Sequence, residues 1–328
     1  MGVPKWKGSV GLAIASDAST RVAPTVFPIC DSGNIEGEPK TYEAKNSITP
    51  DVIAIEEAGH DFKWSVGGIE PTAKMFGWLW AVALGSDAFA TDTHTITPDD
   101  DSKYLCPSID KGVDLGSSTP TMSGLGGKVG SLSFEIADGG FATMEASGLL
   151  CDLDSTYYTA LSPSIVSTKF RKPISWEWLK HASASFAVGY AGGASSADKN
   201  ITGLKVNYSR AQKGTGISAN SEQPTGITEG MRELTFEITK EFDANATDAF
   251  DAWIGQTGSV AISMTLYADT DQQVSLVIPN ATIAGSFGDE VGAGEDTITA
   301  TLSCKAFQDA SDPLVIITVK DDTTGVYT

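Results

Sequence analysis

The chain has 328 residues, with 42 acidic against 22 basic side chains and a formal charge of −20. Such a balance excludes a nucleic-acid grip, which depends on cations displacing counterions from phosphate, and it disfavours anionic membranes. Apolar residues at 41% supply a core and exclude wholesale disorder, and the length suits two domains or one large one.

From the start, the apolar run at residues 10–15 is too short for a signal-peptide core. Nothing approaches the ~18 consecutive apolar residues of a membrane-spanning helix, so a soluble protein kept in a cytoplasm is expected. Residues 62–66 alternate apolar and polar, which predicts a strand with one buried and one wet face. Residues 71–84 predict a helix, with Pro71 in its first turn and Gly85 at its stop. Met75, Phe76, Trp78, Leu79, Trp80, Val82 and Leu84 cover most of its circumference, so deep packing is expected. Leu132, Phe134 and Ile136 then alternate with Ser131, Ser133 and Glu135. Residues 175–181, with Trp176 and Trp178, read as a strand or a short turn.

The second half repeats this order. A strand is predicted at 232–238 and a helix at 246–254, with Phe250 and Trp253 on its apolar stripe. Strands follow at 259–267, 273–279, 297–306 and 314–320. In the third of these, Thr297, Thr299, Thr301 and Ser303 form the polar face. The recurrence points to a duplicated β-plus-helix unit, or to two unrelated β domains with the same grammar. Either way the division is 1–152, a linker at 153–185, and 186–328. Residues 31–46, 87–103, 112–128, 214–230 and 285–295 are rich in Gly, Ser, Thr, Pro and acids and read as long loops that order on a partner. Of these, 31–46 or 112–128 is expected to be disordered in the free chain and to order on assembly.

Motifs for chemistry are weak. Gly124-Leu125-Gly126-Gly127-Lys128 has Val129 where a phosphate loop needs Ser or Thr, and a strand follows in place of a helix. His60, His94 and His181 have no second ligand at metal spacing. Asp99-Asp100-Asp101 lacks the alternation of a calcium loop. Cys30, Cys106, Cys151 and Cys304 form no CxxC pair, and Cys106 and Cys304 read as buried free thiols. No catalytic residue, cofactor or metal is expected.

Several segments together resemble the major tail tube proteins of long, flexible-tailed bacteriophages (siphovirus type), in their longer form. They are residues 11–15 through Pro24-Thr25-Val26-Phe27-Pro28, and Gly67-Gly68-Ile69-Glu70-Pro71 leading into residues 75–85. Thr93-His94-Thr95-Ile96-Thr97-Pro98, residues 124–134 and Ile278-Pro279-Asn280-Ala281 complete the set. Leu105-Cys106-Pro107-Ser108 departs from the usual Leu-Pro-Ser.

The resemblance implies a mainly β fold. Two antiparallel sandwich or barrel units, each with one short helix, would join neighbours into a continuous lumen barrel. It implies a structural, non-enzymatic virion protein assembled in the host cytoplasm. Its rings would stack into a tube through which genomic DNA passes without specific binding. Tape-measure, tail terminator and distal tail proteins would be its partners. With two units per chain the ring would be a trimer with pseudo-sixfold symmetry; with one it would be a hexamer. Ser131, Ser133, Glu135, Thr297, Thr299, Thr301 and Ser303 are the candidate lumen-facing residues; each face equally suits the outer solvent. Phe76, Trp78, Trp80, Phe250 and Trp253 are the candidate helix cores. The runner-up is a β-sandwich carbohydrate- or surface-binding module of adhesin type, with Trp176 or Tyr190 as a sugar platform.

Overall fold

The computed structural model describes residues 9–45, 52–110, 121–154, 172–190, 196–197, 200–216, 223–241, 259–284, 288–290, 299–321 and 323–327. The predicted helix at 246–254, with Phe250 and Trp253, lies outside them, as do Thr297 and most of the linker (155–171).

Alternating apolar residues produce a mainly β molecule. The first half contributes β1 (Ser9–Ala15), β2 (Ser32–Lys45), β3 (Val52–Ile69), α1 (Ala73–Leu84), β4 (Ala88–Ala90), β5 (Thr93–Ile96), β6 (Tyr104–Asp110), β7 (Thr121–Leu125), β8 (Ser131–Ala137), β9 (Thr143–Leu150) and β10 (Asp152–Asp154). After one 3-10 turn at Trp176–Lys180 come β11 (Ser185–Tyr190), β12 (Ser196–Ala197), β13 (Ile201–Thr215), β14 (Gly226–Glu241), β15 (Ser259–Asp269), β16 (Gln272–Ile283), β17 (Gly288–Glu290), β18 (Thr299–Ala306) and β19 (Ile316–Lys320). All named pairings are antiparallel, and among the described residues the sheets form no closed barrel.

A small sheet has the order β1-β6-β7-β10. The large one runs β12-β11-β15-β16-β18-β14-β13-β8-β9-β3-β2, with β17 on β18 and with β19, β5 and β4 branching from β16. Strands from both halves of the chain therefore share one sheet, joined where β13 pairs with β8 from Gly203↔Ala137 to Ser209↔Ser131.

The helix begins two residues later than the pattern predicts. Pro71 lies before the cap, and Thr72 takes the capping position, its hydroxyl accepting from Met75 N at 3.3 Å. Gly85 closes the helix at φ 96°, where a Cβ would strike the Asp101 carbonyl. Every helical residue but Lys74 is buried, Phe76, Trp78 and Trp80 among them. Removing the cap with Thr72→Ala is expected to cost about 1 kcal/mol, read as a lower urea midpoint at unchanged slope.

All five predicted loops carry strand, β17 within 285–295 included. Residues 32–45 form β2, paired with β3 from Ser32↔Gly67 to Lys45↔Val52. Its glycines are there for close contact: a Cβ on Gly33 would meet Val10 at 2.5 Å, and one on Gly37 would meet the Phe62 ring at 2.8 Å. Residues 87–103 carry β4 and β5, and residues 121–125 form β7. The stretch at 214–230 contributes the ends of the β13–β14 hairpin. The β2–β3 and β13–β14 hairpins are far longer than predicted, since 62–66 extends to 52–69 and 232–238 to 226–241.

Each hairpin also slips register partway along its length. The β2–β3 slip falls between Pro39 and Thr41, and the β13–β14 slip between Arg210 and Gln212. A second slip lies near one end of each, at Ala44/Lys45 and at Ile201/Gly203. All four cysteines are free; Cys106, Cys151 and Cys304 are buried, and burial raises the Cys304 thiol to about 12.

Candidate functional site: one polar sheet face

The apolar alternations turn Phe134, Val206, Phe236 and Cys304 into the core, so the intervening residues emerge together on the opposite face. Across it the rungs are continuous. Ser65, Ser147, Ser131, Ser209 and Glu233 form one row across β3-β9-β8-β13-β14. Glu145, Ser133, Asn207, Thr235 and Lys305 form the next, ending on β18. Thr143, Glu135, Lys205, Glu237 and Ser303 form the third. Thr301 stands opposite Thr239 one rung further on, and Thr299 continues the strand opposite Glu241.

Ser131, Ser133 and Glu135 of the first candidate set thus lie on a single face with Thr301 and Ser303 of the second, linked through β13 and β14. Sequence reasoning passed over Lys205, Asn207 and Ser209, although the intervening Leu204, Val206 and Tyr208 give β13 the same alternation. Four glutamates stand in these rows against two lysines, so the face is net acidic. Lys205 pairs with Glu135 at 3.4 Å and Lys305 with Glu233 at 2.7 Å, both exposed and of small energetic weight. Between β3 and β13 the face is concave, a hollow of about 540 Å³ that includes Ser131, Ser133, Glu135, Glu145, Lys205 and Asn207.

Beneath the face lies the helix. Phe76 meets Phe134 of β8 edge-on at 5.1 Å, and Trp80 meets Tyr208 of β13 at 6.1 Å. The Tyr208 hydroxyl donates to the Ala83 carbonyl at 3.1 Å. One helix therefore packs under both sides of the β8–β13 joint.

At one end of the face sits a buried ionic cluster. The Glu229 carboxylate, 1% exposed, accepts from Ser102 N at 3.1 Å, Ser102 Oγ at 2.6 Å and Lys128 Nζ at 2.8 Å, and pairs with Arg210 Nη1 at 3.1 Å. Arg210 Nη2 also donates to the Asp100 carbonyl at 2.6 Å. Burial is the strongest single influence on this carboxyl and pushes it up, but the Lys128 and Ser102 hydrogen bonds together hold it below the usual range. Lys128, the lysine of the glycine-rich stretch, is thus committed to Glu229 and turned away from any phosphate. Asp100 contributes its carbonyl to the same cluster.

His94, by sequence an isolated side chain, is fully buried between two carboxylates. Its Nδ1 lies 3.0 Å from Asp87 and its Nε2 3.7 Å from Asp321, and the Tyr327 ring stacks on it at 3.9 Å. Tyr327 in turn donates from its hydroxyl to Asp321 at 2.7 Å and from its backbone N to Asp87 at 2.6 Å. The cluster ties Asp321 and Tyr327 to His94 of β5. His60 stacks on Phe62 and His181 leans on Tyr267. Among the described residues no group of His, Cys, Asp and Glu is placed to hold a metal, and no helix is long and apolar enough to cross a membrane. Trp176 and Tyr190, the suggested sugar platforms, are half-buried against the core.

Compared with known proteins, the chain matches no protein-family model and no curated protein sequence.

Proposed function

We propose that this chain is a structural subunit that closes laterally with copies of itself into a ring and stacks into a tube. The wall of its channel is the acidic face described above. The observation that carries the reading is a repeat within the sheet order. Placing Trp64 of β3 on Phe236 of β14 places Ile35 of β2 on Val206 of β13, and Gly148 of β9 on Cys304 of β18, because these residues share rungs. The same placement puts Pro39 on Arg210 and Thr41 on Gln212, so the two mid-hairpin register slips coincide. It also matches the β8–β9 hairpin to the one that β17 makes with β18, Glu135↔Thr143 corresponding to Glu290↔Thr299. The sheet then reads as two four-strand units laid head to tail: β17-β18-β14-β13, then β8-β9-β3-β2.

Within the chain, the outer strand of one unit, β13, joins the leading strand of the next, β8. At the free ends stand the same two kinds of strand. Among the described residues the outer edge of β2 and that of β17 have no strand partner. An unpaired edge strand of 14 residues is an invitation to another chain. Repeating the internal joint between copies continues the sheet without an end, and a closed ring removes the edges. Two units per chain make three chains equivalent to six units, so a trimer with pseudo-sixfold symmetry is the favoured ring over a hexamer. An acidic, serine-rich channel offers duplex DNA no counterion release, which suits passage and not retention. The likeness to siphovirus-type tail tube proteins agrees with this reading and extends the partners to tape-measure, terminator and distal tail proteins of a virion tail.

A cross-link tests it. In the internal joint Lys205 stands opposite Glu135; the matching residues are Asn34 and Glu290 of the neighbouring copy. Asn34→Cys with Glu290→Cys is expected to give disulfide-linked species that end at a closed trimer, since directly opposed Cβ atoms lie about 4.5–5.5 Å apart. Monomer alone after oxidation of concentrated protein counts against the ring, and a series ending at six counts against the trimer.

A further inference from the structure

The β13–β14 hairpin outruns its neighbours. Its last rung to β8 is Ser209↔Ser131 and its last to β18 is Thr235↔Lys305, yet the hairpin continues through residues 210–216 and 223–232. This distal arm lies on the other unit of the same chain. Glu229 is held by Ser102 and Lys128, Arg210 reaches the Asp100 carbonyl, and Gln212 Oε1 accepts from Leu149 N at 2.9 Å. The β2–β3 hairpin outruns its neighbour in the same way: its last rung to β9 is Phe62↔Leu150, and its backbone continues through residues 39–45 and 52–61. It has the matching register slip, and Glu57, opposite Thr41, occupies the position of Glu229, opposite Gln212.

We infer that the distal β2–β3 arm docks sideways on the second unit of the neighbouring copy in the ring, as the β13–β14 arm docks on the first unit within the chain. This rests on the ring proposed above. The receiving surface follows from the same correspondence: Leu149 matches Lys305, and Cys151 matches Phe307. Here the two units differ in an instructive way. Cys151 is 2% exposed, whereas Phe307 is 39% exposed, one of five large apolar side chains left exposed among the described residues. A phenylalanine left partly open in the single chain, at a position buried in the other unit, marks the place where the neighbouring arm lands. The partner is a second copy of this chain, and the contact is lateral, not between stacked rings.

The test uses the full chain. Amide hydrogen exchange in residues 39–45 and 52–61 is expected to slow at least tenfold when free subunits become isolated rings. Phe307→Glu and Glu57→Lys, both read against an unchanged subunit melting curve, are each expected to raise the protein concentration needed for rings at least tenfold. Unchanged exchange in rings already closed by the disulfide of the Asn34→Cys, Glu290→Cys variant overturns the docking while leaving the ring intact. Protection that arises only when rings stack assigns the arm to the next ring and equally overturns it. Should no cross-link and no ring form at all, the ring reading fails first and the docking falls with it.

Discussion

Glu229→Gln is expected to lower the stability of the subunit by roughly 3–5 kcal/mol at pH 7, the usual cost of removing one partner from a buried ionic group. The substitution keeps the shape but exchanges one acceptor oxygen for an amide NH2, a donor set against the donors of Ser102, Lys128 and Arg210. What it removes is the charge that neutralises Lys128 and Arg210, whose side chains are 4% and 7% exposed. Two cations then remain in a site with little water. The pH dependence has a definite sign. The folded carboxyl is held below the ordinary range, so its contribution is fully present above the unfolded value of about 4.3 and is lost as pH falls through the folded value. The gap between native protein and variant should therefore be widest near neutrality and narrow in acid. Urea denaturation of both proteins from pH 7 down to pH 3 measures it. A gap that stays constant over that range removes the ionic explanation.

This cluster also marks where sequence reading stops. Alternation within a single strand was legible, because period two is set by local geometry: Leu132, Phe134 and Ile136 face the core as read, and Ser131, Ser133 and Glu135 face out. The helix was legible for the same reason, except that Thr72, not a proline-led first turn, sets its start. Residues 32–45 were not legible as a strand. Their glycines and acids have the composition of a loop, and the need for glycine at 33 and 37 arises from Val10 and Phe62, which are distant in sequence. Lys128, Arg210 and Glu229 were not legible as partners, since nothing local announces that chain segments 101 residues apart will meet. The candidate face was half legible. Each polar stripe could be read, but that β13 would join the two was a matter of strand order, which alternation does not encode. The coincidence of the two mid-hairpin slips is likewise a property of backbone pairing, with slight identity between the halves to signal it.

Trp80→Ala is expected to cost about 3–5 kcal/mol, in the range of a large aromatic removed from a close-packed core. Its consequence should go beyond that loss. Trp80 is fully buried, packs on Phe76 at 6.2 Å and on Tyr208 at 6.1 Å, while Phe76 reaches Phe134. The ring thus sits beneath the rungs where β13 meets β8, one strand from each half of the chain. The native subunit, with one sheet running through this joint, should unfold in a single transition. Emptying the space under the joint removes packing from both strands at once, whereas the backbone rungs from Gly203↔Ala137 to Ser209↔Ser131 remain. If the halves have cores of their own, as a repeat implies, Trp80→Ala should split the thermal unfolding into two steps, with the first half melting earlier. Tyr208→Phe is the control. It deletes only the hydroxyl that donates to the Ala83 carbonyl, costs about 1 kcal/mol, and should keep one transition. Calorimetry reads both variants. Two transitions in the native protein would mean that the joint carries little of the cooperativity, and a subunit whose halves melt separately would be a poor template for a rigid ring wall.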